Sequence, residues 1–337
     1  MEKAKVMFND TVNLIQVNPE LCSKQDFKIL TSLVVPKITS NISGHVKVGK
    51  KCAFGSSCVN GNSLNVLTYD DDQLKLLHSV SYPSVVRRCK WIPDVIASFP
   101  EYLLVAGDDL CLYEKTDFKL TLRWIAPTRI IDWSPVTFCE WNYWNPMYIS
   151  TVHFDGECKI WSLESEKLLL RLRNDFMFKK KSLVRYEGER VRMCFCHDSL
   201  EKCFVVYNDH SAHLYDMRMP IARTKNIFTD VLKAVKCSFL NPHYIAYLFG
   251  RKVSITDLRN SKADVVTFGS FNDVETATCF SWSPFENEIA IGTSYGHCIF
   301  WKPEKNNLFQ TSTNDNIKYI SRVEYDHSKI SMLYISS

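Results

Sequence analysis

A recurring three-strand unit constrains this chain more than any other feature. Its clearest copy begins with Val136-Thr-Phe-Cys-Glu-Trp141 and a turn over Asn142-Tyr-Trp-Asn-Pro146. Met147-Tyr-Ile-Ser-Thr-Val152 follows, then a second turn through His153-Phe-Asp155-Gly156, then Glu157-Cys-Lys-Ile-Trp161-Ser-Leu163. Apolar residues alternate, or run in short stretches bounded by turn formers, and helical spacing is nearly absent. Asp155-Gly156 suits a tight primed turn, because glycine takes a positive φ without steric cost. Comparable units start at Arg88, Val191, Val235 and Thr278, and a weaker one runs from Leu14 to Tyr69. The position held by Trp161 recurs at Leu67, Tyr113, Tyr215, Thr256 and Trp301, with successive gaps of 46, 48, 54, 41 and 45 residues.

A period of about 40–45 residues built from short strands is the signature of a propeller blade. The expected fold is therefore all-β: a seven-bladed WD-repeat β-propeller closed by an N-terminal strand. It forms a single domain over 1–337, with blades near 11–70, 84–115, 136–164, 190–218, 233–259, 276–304, and 316–337 plus 3–8. One more repeat would put its marker at about residue 346, past Ser337, so Lys5-Val-Met-Phe8 is expected to complete the last blade by strand pairing. Two long connections interrupt the pattern. Lys37–Gly61 has no clear strand pattern and carries Lys47, Lys50 and Lys51, while Arg171–Arg190 carries Lys179-Lys-Lys181 and Arg185. Long loops on a rigid scaffold often carry binding function.

The 337 residues include 41 basic and 37 acidic side chains, a net charge of +4 that argues against bulk nucleic-acid affinity. No apolar run is long enough for a membrane helix, and the N-terminus does not read as a secretory signal. The 13 cysteines are odd in number and scattered through strand patterns, which fits reduced thiols in the cytoplasm and nucleus.

Motifs for catalysis are missing: there is no Gly-x-Ser-x-Gly, phosphate loop, Rossmann fingerprint or His-Glu-x-x-His. The chain is expected not to be an enzyme and to use no cofactor. Cys194, Cys196, His197 and Cys203 are close in sequence, but His197 points away from the cysteine face of a strand, so core thiols are the simpler reading than a metal site. His153 reads as structural support or a partner contact. Trp91, Trp141, Trp161, Trp282 and Trp301, with the Asp155-Gly156 turn, read as structural. Candidate partner-binding residues are of two kinds. Arg87, Arg88, Arg190 and Lys233, with Arg192 and Glu275, lie at or before first strands, and their mixed signs suggest a specific polar interface. Asp216-Met-Arg218 and Asp257-Leu-Arg259 are D-x-R motifs ending the third strands of adjacent units, read either as local turn caps or as a shared docking surface.

These residues resemble a WD-repeat adaptor family that includes plant Transparent Testa Glabra and the animal DYRK-kinase-binding WD-repeat protein. The likeness rests on Tyr82-Pro83 with Trp91-Ile-Pro-Asp94, on Tyr102 to Tyr113, on Thr137-Phe-Cys-Glu-Trp-Asn142 with Asn145-Pro146, on Cys158 to Glu164, and on the two D-x-R ends. It covers most of 3–323; the Lys37–Gly61 insertion and a short last blade depart from the pattern. What the resemblance implies is a non-catalytic scaffold linking a DYRK-type kinase or transcription regulators to their targets. One alternative is a substrate receptor of a cullin-type ubiquitin ligase, with Asp216, Arg218, Asp257 and Arg259 inheriting the contact to its damaged-DNA-binding adaptor. Another is an architectural subunit of a stable complex. In each case the expectation is a monomeric ring inside hetero-complexes, without direct nucleic-acid or membrane binding.

Overall fold

A computed structural model of the chain describes residues 9–16, 28–36, 43–45, 51–58, 61–70, 73–93, 100–116, 119–127, 134–172, 191–196, 203–227, 229–259, 264–269, 275–283, 286–303, 307–312, 320, 322–325 and 332–336. Among them are seven four-stranded antiparallel sheets. One joins the two ends of the described chain: β1 (Asn9–Gln16) and β2 (Lys28–Pro36) pair with β27 (Arg322–Tyr325) and β28 (Met332–Ser336) in the order β2-β1-β28-β27. The other six are meanders of consecutive strands. They are β3 (Ser43–His45), β4 (Lys51–Cys58), β5 (Gly61–Asp70) and β6 (Gln73–Tyr82); β7 (Arg88–Trp91), β8 (Glu101–Ala106), β9 (Leu110–Lys115) and β10 (Leu120–Ile125); and β11 (Val136–Trp141), β12 (Tyr148–His153), β13 (Cys158–Ser162) and β14 (Lys167–Leu172). Then come β15 (Arg192–Phe195), β16 (Cys203–Tyr207), β17 (Ser211–Asp216) and β18 (Met219–Ile227); β19 (Leu232–Cys237), β20 (Tyr244–Phe249), β21 (Lys252–Asp257) and β22 (Asp264–Gly269); and β23 (Ala277–Trp282), β24 (Ile289–Thr293), β25 (His297–Lys302) and β26 (Asn307–Ser312).

The expected seven-bladed propeller closed by an N-terminal strand is corrected by this topology. Each sheet is separate and open, and none is closed or curled on itself. Residues 3–8, the expected closing strand, lie outside the described residues. The strand that meets the C-terminal segment is β1, with Val12 opposite Ser336 and Gln16 opposite Met332, and β2 adds a second N-terminal strand beside it. Residues 11–70 therefore do not form one unit. Their first strands leave for the terminal sheet, and β3 and β4 arise inside Lys37–Gly61, read from sequence as a loop.

Burial follows strand position. The third strand β13 is buried at every residue, since both its faces meet neighbouring sheets, whereas the outer edge strand β10 is half-buried to exposed. The first strand β7 alternates, with Cys89 and Trp91 inside and Arg88 and Lys90 part-exposed. The apolar core lies between sheets. Phe138, Val152 and Ile160 of one sheet pack with Met193, Phe204 and Tyr215 of the next. Ala246, Leu248 and Ile255 pack with Phe280, Trp282 and Trp301 in the same way. Backbone hydrogen bonds reinforce this. The turn after a second strand accepts from the chain entering the next sheet: Gly107 O from Val136 N–H (2.9 Å), Asp209 O from Leu232 N–H (2.6 Å), and Thr293 O from Ile320 N–H (3.1 Å). Gly107 must stay side-chain-free there, because a Cβ would lie 2.8 Å from Ser84 Oγ.

Candidate partner-binding ends of the sheets

Every meander has two ends. At the leading end the chain enters the first strand, beside the turn between the second and third strands. At the trailing end lie the other two turns. Register assigns the candidates. Arg88 is opposite Ala106 and Leu232 is opposite Phe249, both at leading ends, while Asp216 is opposite Cys203 and Asp257 opposite Tyr244, at trailing ends. The structure thus divides the sequence candidates into two groups. Arg87, Arg88 and Lys233 are leading; Asp216, Arg218, Asp257 and Arg259 are trailing. Arg190 lies outside the described residues.

At the leading end Arg88, Arg192 and Lys233 bind the sheets to one another. Arg88 Nε donates to Cys139 O (2.9 Å), its Nη2 donates to Glu140 Oε2 (2.7 Å), and its guanidinium stacks 3.8 Å from the Phe138 ring centroid. All three partners belong to β11. Arg192 Nη1 donates to Lys233 O (2.7 Å), and Lys233 Nζ donates to Ala277 O (2.8 Å), which ties β15 to β19 and β19 to β23. Partial burial pulls the Lys233 ammonium below its ordinary range. Arg87 reaches Asp108 in the turn of its own sheet at 3.3 Å. The buried Glu275 carboxylate lies 2.8 Å from His297 Nδ1.

At the trailing end the two D-x-R motifs adopt one geometry. Asp216 Oδ1 accepts from the Arg218 backbone N–H and Nε, both at 2.9 Å, and Oδ2 accepts from Nη2 at 2.5 Å. Asp257 accepts from Arg259 in the same pattern at 2.9, 3.0 and 2.6 Å. The hydrogen bonds from Arg259 hold the Asp257 carboxyl below the usual carboxylate range. Each aspartate caps the turn and fixes its own arginine by a fork of two donors. The arginines remain solvent-facing, with side chains 44% exposed at Arg218 and 63% at Arg259.

The tryptophans are interior. Trp91, Trp141, Trp161, Trp282 and Trp301 are all buried; Trp141 Nε1 donates back to Lys90 O (2.9 Å) and Trp282 Nε1 to Lys236 O (3.1 Å). Asp155 Oδ1 accepts from the Glu157 N–H, and Gly156 has φ 82°, the left-handed conformation that the turn requires. Sequence reasoning missed one network. Trp161 Nε1 donates to Thr151 Oγ1 (2.9 Å), which is 3.3 Å from His153 Nε2, and His153 Nδ1 is 2.9 Å from Ser134 O. The period-two spacing of Ile149, Thr151 and His153, with Trp161 opposite Ile149, was the available signal. Burial holds the His153 imidazole below its ordinary 6.5. Also unforeseen was the buried Lys159, 3.0 Å from Glu157, whose carboxylate also takes Arg171. Among the described residues no group of three or more His, Cys, Asp or Glu is placed to hold a metal ion, and no helix is long and apolar enough to cross a membrane.

No family model matches the chain. It is 28% identical over 155 residues to a protein of Dictyostelium discoideum described as "DDB1- and CUL4-associated factor 7 homolog". That match covers 45% of this chain and less than half, 44%, of the relative. In structure the chain is similar to the Raptor protein of Chaetomium thermophilum, with a TM-score of 0.64 and 14% identity over 89% of this chain and 27% of that one. At 14% identity the structural likeness speaks to fold alone, the sequence match spans less than half of either protein, and neither singles out the kinase-adaptor subfamily.

Proposed function

We propose that this chain is a non-catalytic protein-interaction scaffold that acts as a substrate receptor of a cullin-type ubiquitin ligase. The observation that carries the reading is the pair of D-x-R turns: two exposed arginines in consecutive sheets, at the same end, pre-set by the same aspartate fork. An arginine already ordered in its binding conformation loses less entropy when a partner carboxylate or carbonyl meets its outer face. The description of the Dictyostelium relative supports the same assignment. Nothing in the geometry favours the finer reading of a kinase-linking or transcription-regulator-linking role. A ligase role is compatible with residence in cytoplasm and nucleus.

The test is capture of the damaged-DNA-binding adaptor by the purified chain. Wild type is expected to retain it, and the Arg218→Ala, Arg259→Ala double variant to lose it while remaining folded, with a lowered midpoint traceable to the buried Asp216. Undiminished capture by a folded double variant would refute the assignment.

A further inference from the structure

Three thiols meet where the two sheets carrying the D-x-R turns pack together. Cys196 follows β15 at its trailing end, donating its N–H to Cys203 O at 2.9 Å, and Cys237 closes β19 opposite Ile245. Cys237 Sγ lies 3.2 Å from Cys196 Sγ and 3.7 Å from Cys194 Sγ. Cys194 and Cys196 share one face of their strand, as period two requires. All three sit in an apolar cluster with Cys203, Val235 and Ile245, and Leu258, the middle residue of the second D-x-R turn, packs against it. Asp216 of the first turn is opposite Cys203 in register. The thiols therefore lie directly behind both arginine turns.

We propose that Cys196 and Cys237 form a reversible disulfide that couples the two sheets behind the D-x-R turns, with Cys194 as the thiol that exchanges into it. The sulfurs must close from 3.2 Å to about 2.05 Å, a small movement for two side chains already aimed at each other. The oxidant is a peroxide. Both thiols lose a proton and an electron as the S–S bond forms; the O–O bond of hydrogen peroxide breaks and leaves as two waters. A small dithiol reverses the step and is itself oxidised to a disulfide. Burial, followed by the neighbouring thiols, pushes the Cys237 thiol up, so the pair resists mild oxidants at neutral pH and reacts faster as pH rises. A bond here fixes the spacing of the two turns. Only that consequence rests on the proposed adaptor-binding role; the disulfide does not.

The full chain would be treated with hydrogen peroxide, its remaining thiols capped, and its peptides mapped without reduction. Adaptor capture would be measured before oxidation, after it, and after dithiothreitol. The expected product is a Cys196–Cys237 linked peptide, with a thermal midpoint raised by ~5 °C and adaptor capture changed by about twofold or more, all reversed by the dithiol. Cys237→Ser abolishes the link and Cys194→Ser keeps it; Cys196→Ala serves if Cys237→Ser does not fold. Absence of the link, or over-oxidised unlinked Cys196, overturns the site. A link with unchanged capture overturns the coupling to the turns. Failure of the reduced wild type to capture the adaptor overturns the functional assignment instead, and leaves the mass result standing.

Discussion

At the leading end the Arg88 side chain is 18% exposed and reaches across to the next sheet, whereas at the trailing end Arg218 and Arg259 are 44% and 63% exposed and fold back on their own turns. The same residue type serves opposite purposes because its surroundings differ. Arg88 emerges from a first strand, where the nearest acceptors are the backbone and carboxylate of β11. Arg218 and Arg259 follow an aspartate by two residues on a tight turn, so the nearest acceptor is local. Charge at the leading end is used to hold sheets together; charge at the trailing end is displayed. The contrast yields tests graded by their effect on stability.

Arg88→Ala is expected to have the largest effect. It removes a charge-assisted hydrogen bond to a carbonyl, leaves Glu140 without its closest cation, and uncovers the Phe138 ring. A loss of about 2–3 kcal/mol in denaturant unfolding is expected, with adaptor capture intact where the variant is still folded. Arg88→Lys should recover only part of this, since an ammonium cannot make the fork and the stacked contact together. A neutral effect on stability with lost capture would make the leading end the docking surface and reverse the contrast.

Thr151→Val tests the interior of one sheet rather than an end. The swap keeps shape but strips the acceptor from Trp161 Nε1 and a partner from His153. With both groups buried, roughly 1–2 kcal/mol is expected to be lost. The corresponding swap has no meaning in the β23–β26 sheet, where Trp301 is opposite Ile289 and the strand continues with Ile291 and Thr293. A loss in the β11–β14 sheet therefore measures the network and not the fold at large.

The same network carries a pH dependence. Burial depresses the folded-state pKa of His153 below 6.5, so below that pH the unfolded chain binds more protons than the folded one. Stability from this residue is complete above about 6.5 and is lost as pH falls from there through the folded-state pKa. Equilibrium unfolding between pH 7.5 and 5 at fixed ionic strength should show the decline, and His153→Asn should flatten it. A slope unchanged in the variant would assign the dependence to other groups.

How much of this was legible in sequence depends on range. Strands β11 to β13 were readable because their alternation, the Asp155-Gly156 turn and Trp161 all act within thirty residues, whereas β14 fell beyond the unit read over 136–164. The strands β3 and β4 were not, because Gly44, Gly55, Ser56 and Ser57 have low strand preference and the pattern gives way to small polar residues. The terminal sheet failed for a different reason. The strand-forming character of 14–17 and 29–35 was visible, but alternation cannot say that β1 pairs with β28 from the other end of the chain. Likewise the D-x-R spacing was visible, and its aspartate fork is local; the bridging role of Arg88 was hidden because Cys139 and Glu140 lie 51 and 52 residues away.

The smallest stability effect is expected where the functional effect is greatest. Arg218→Lys and Arg259→Lys keep the charge of the trailing end but replace each two-donor fork with a single flexible ammonium. The Asp257–Arg259 pair is exposed and contributes little to folding, so Arg259→Lys should leave the thermal midpoint unmoved, whereas the Asp216 side chain is only 1% exposed and Arg218→Lys should lower the midpoint slightly. Adaptor capture should nevertheless fall, because the lysines arrive at the interface unordered and must lose rotamer freedom on binding. If lysine substitutes fully for arginine at both turns, net charge alone serves the contact, and the aspartate fork is only a turn cap. If capture falls while both variants stay folded, the difference between the two ends is one of preorganisation: the same guanidinium ties sheets together at Arg88 and is preset on its own turn at Arg218 and Arg259.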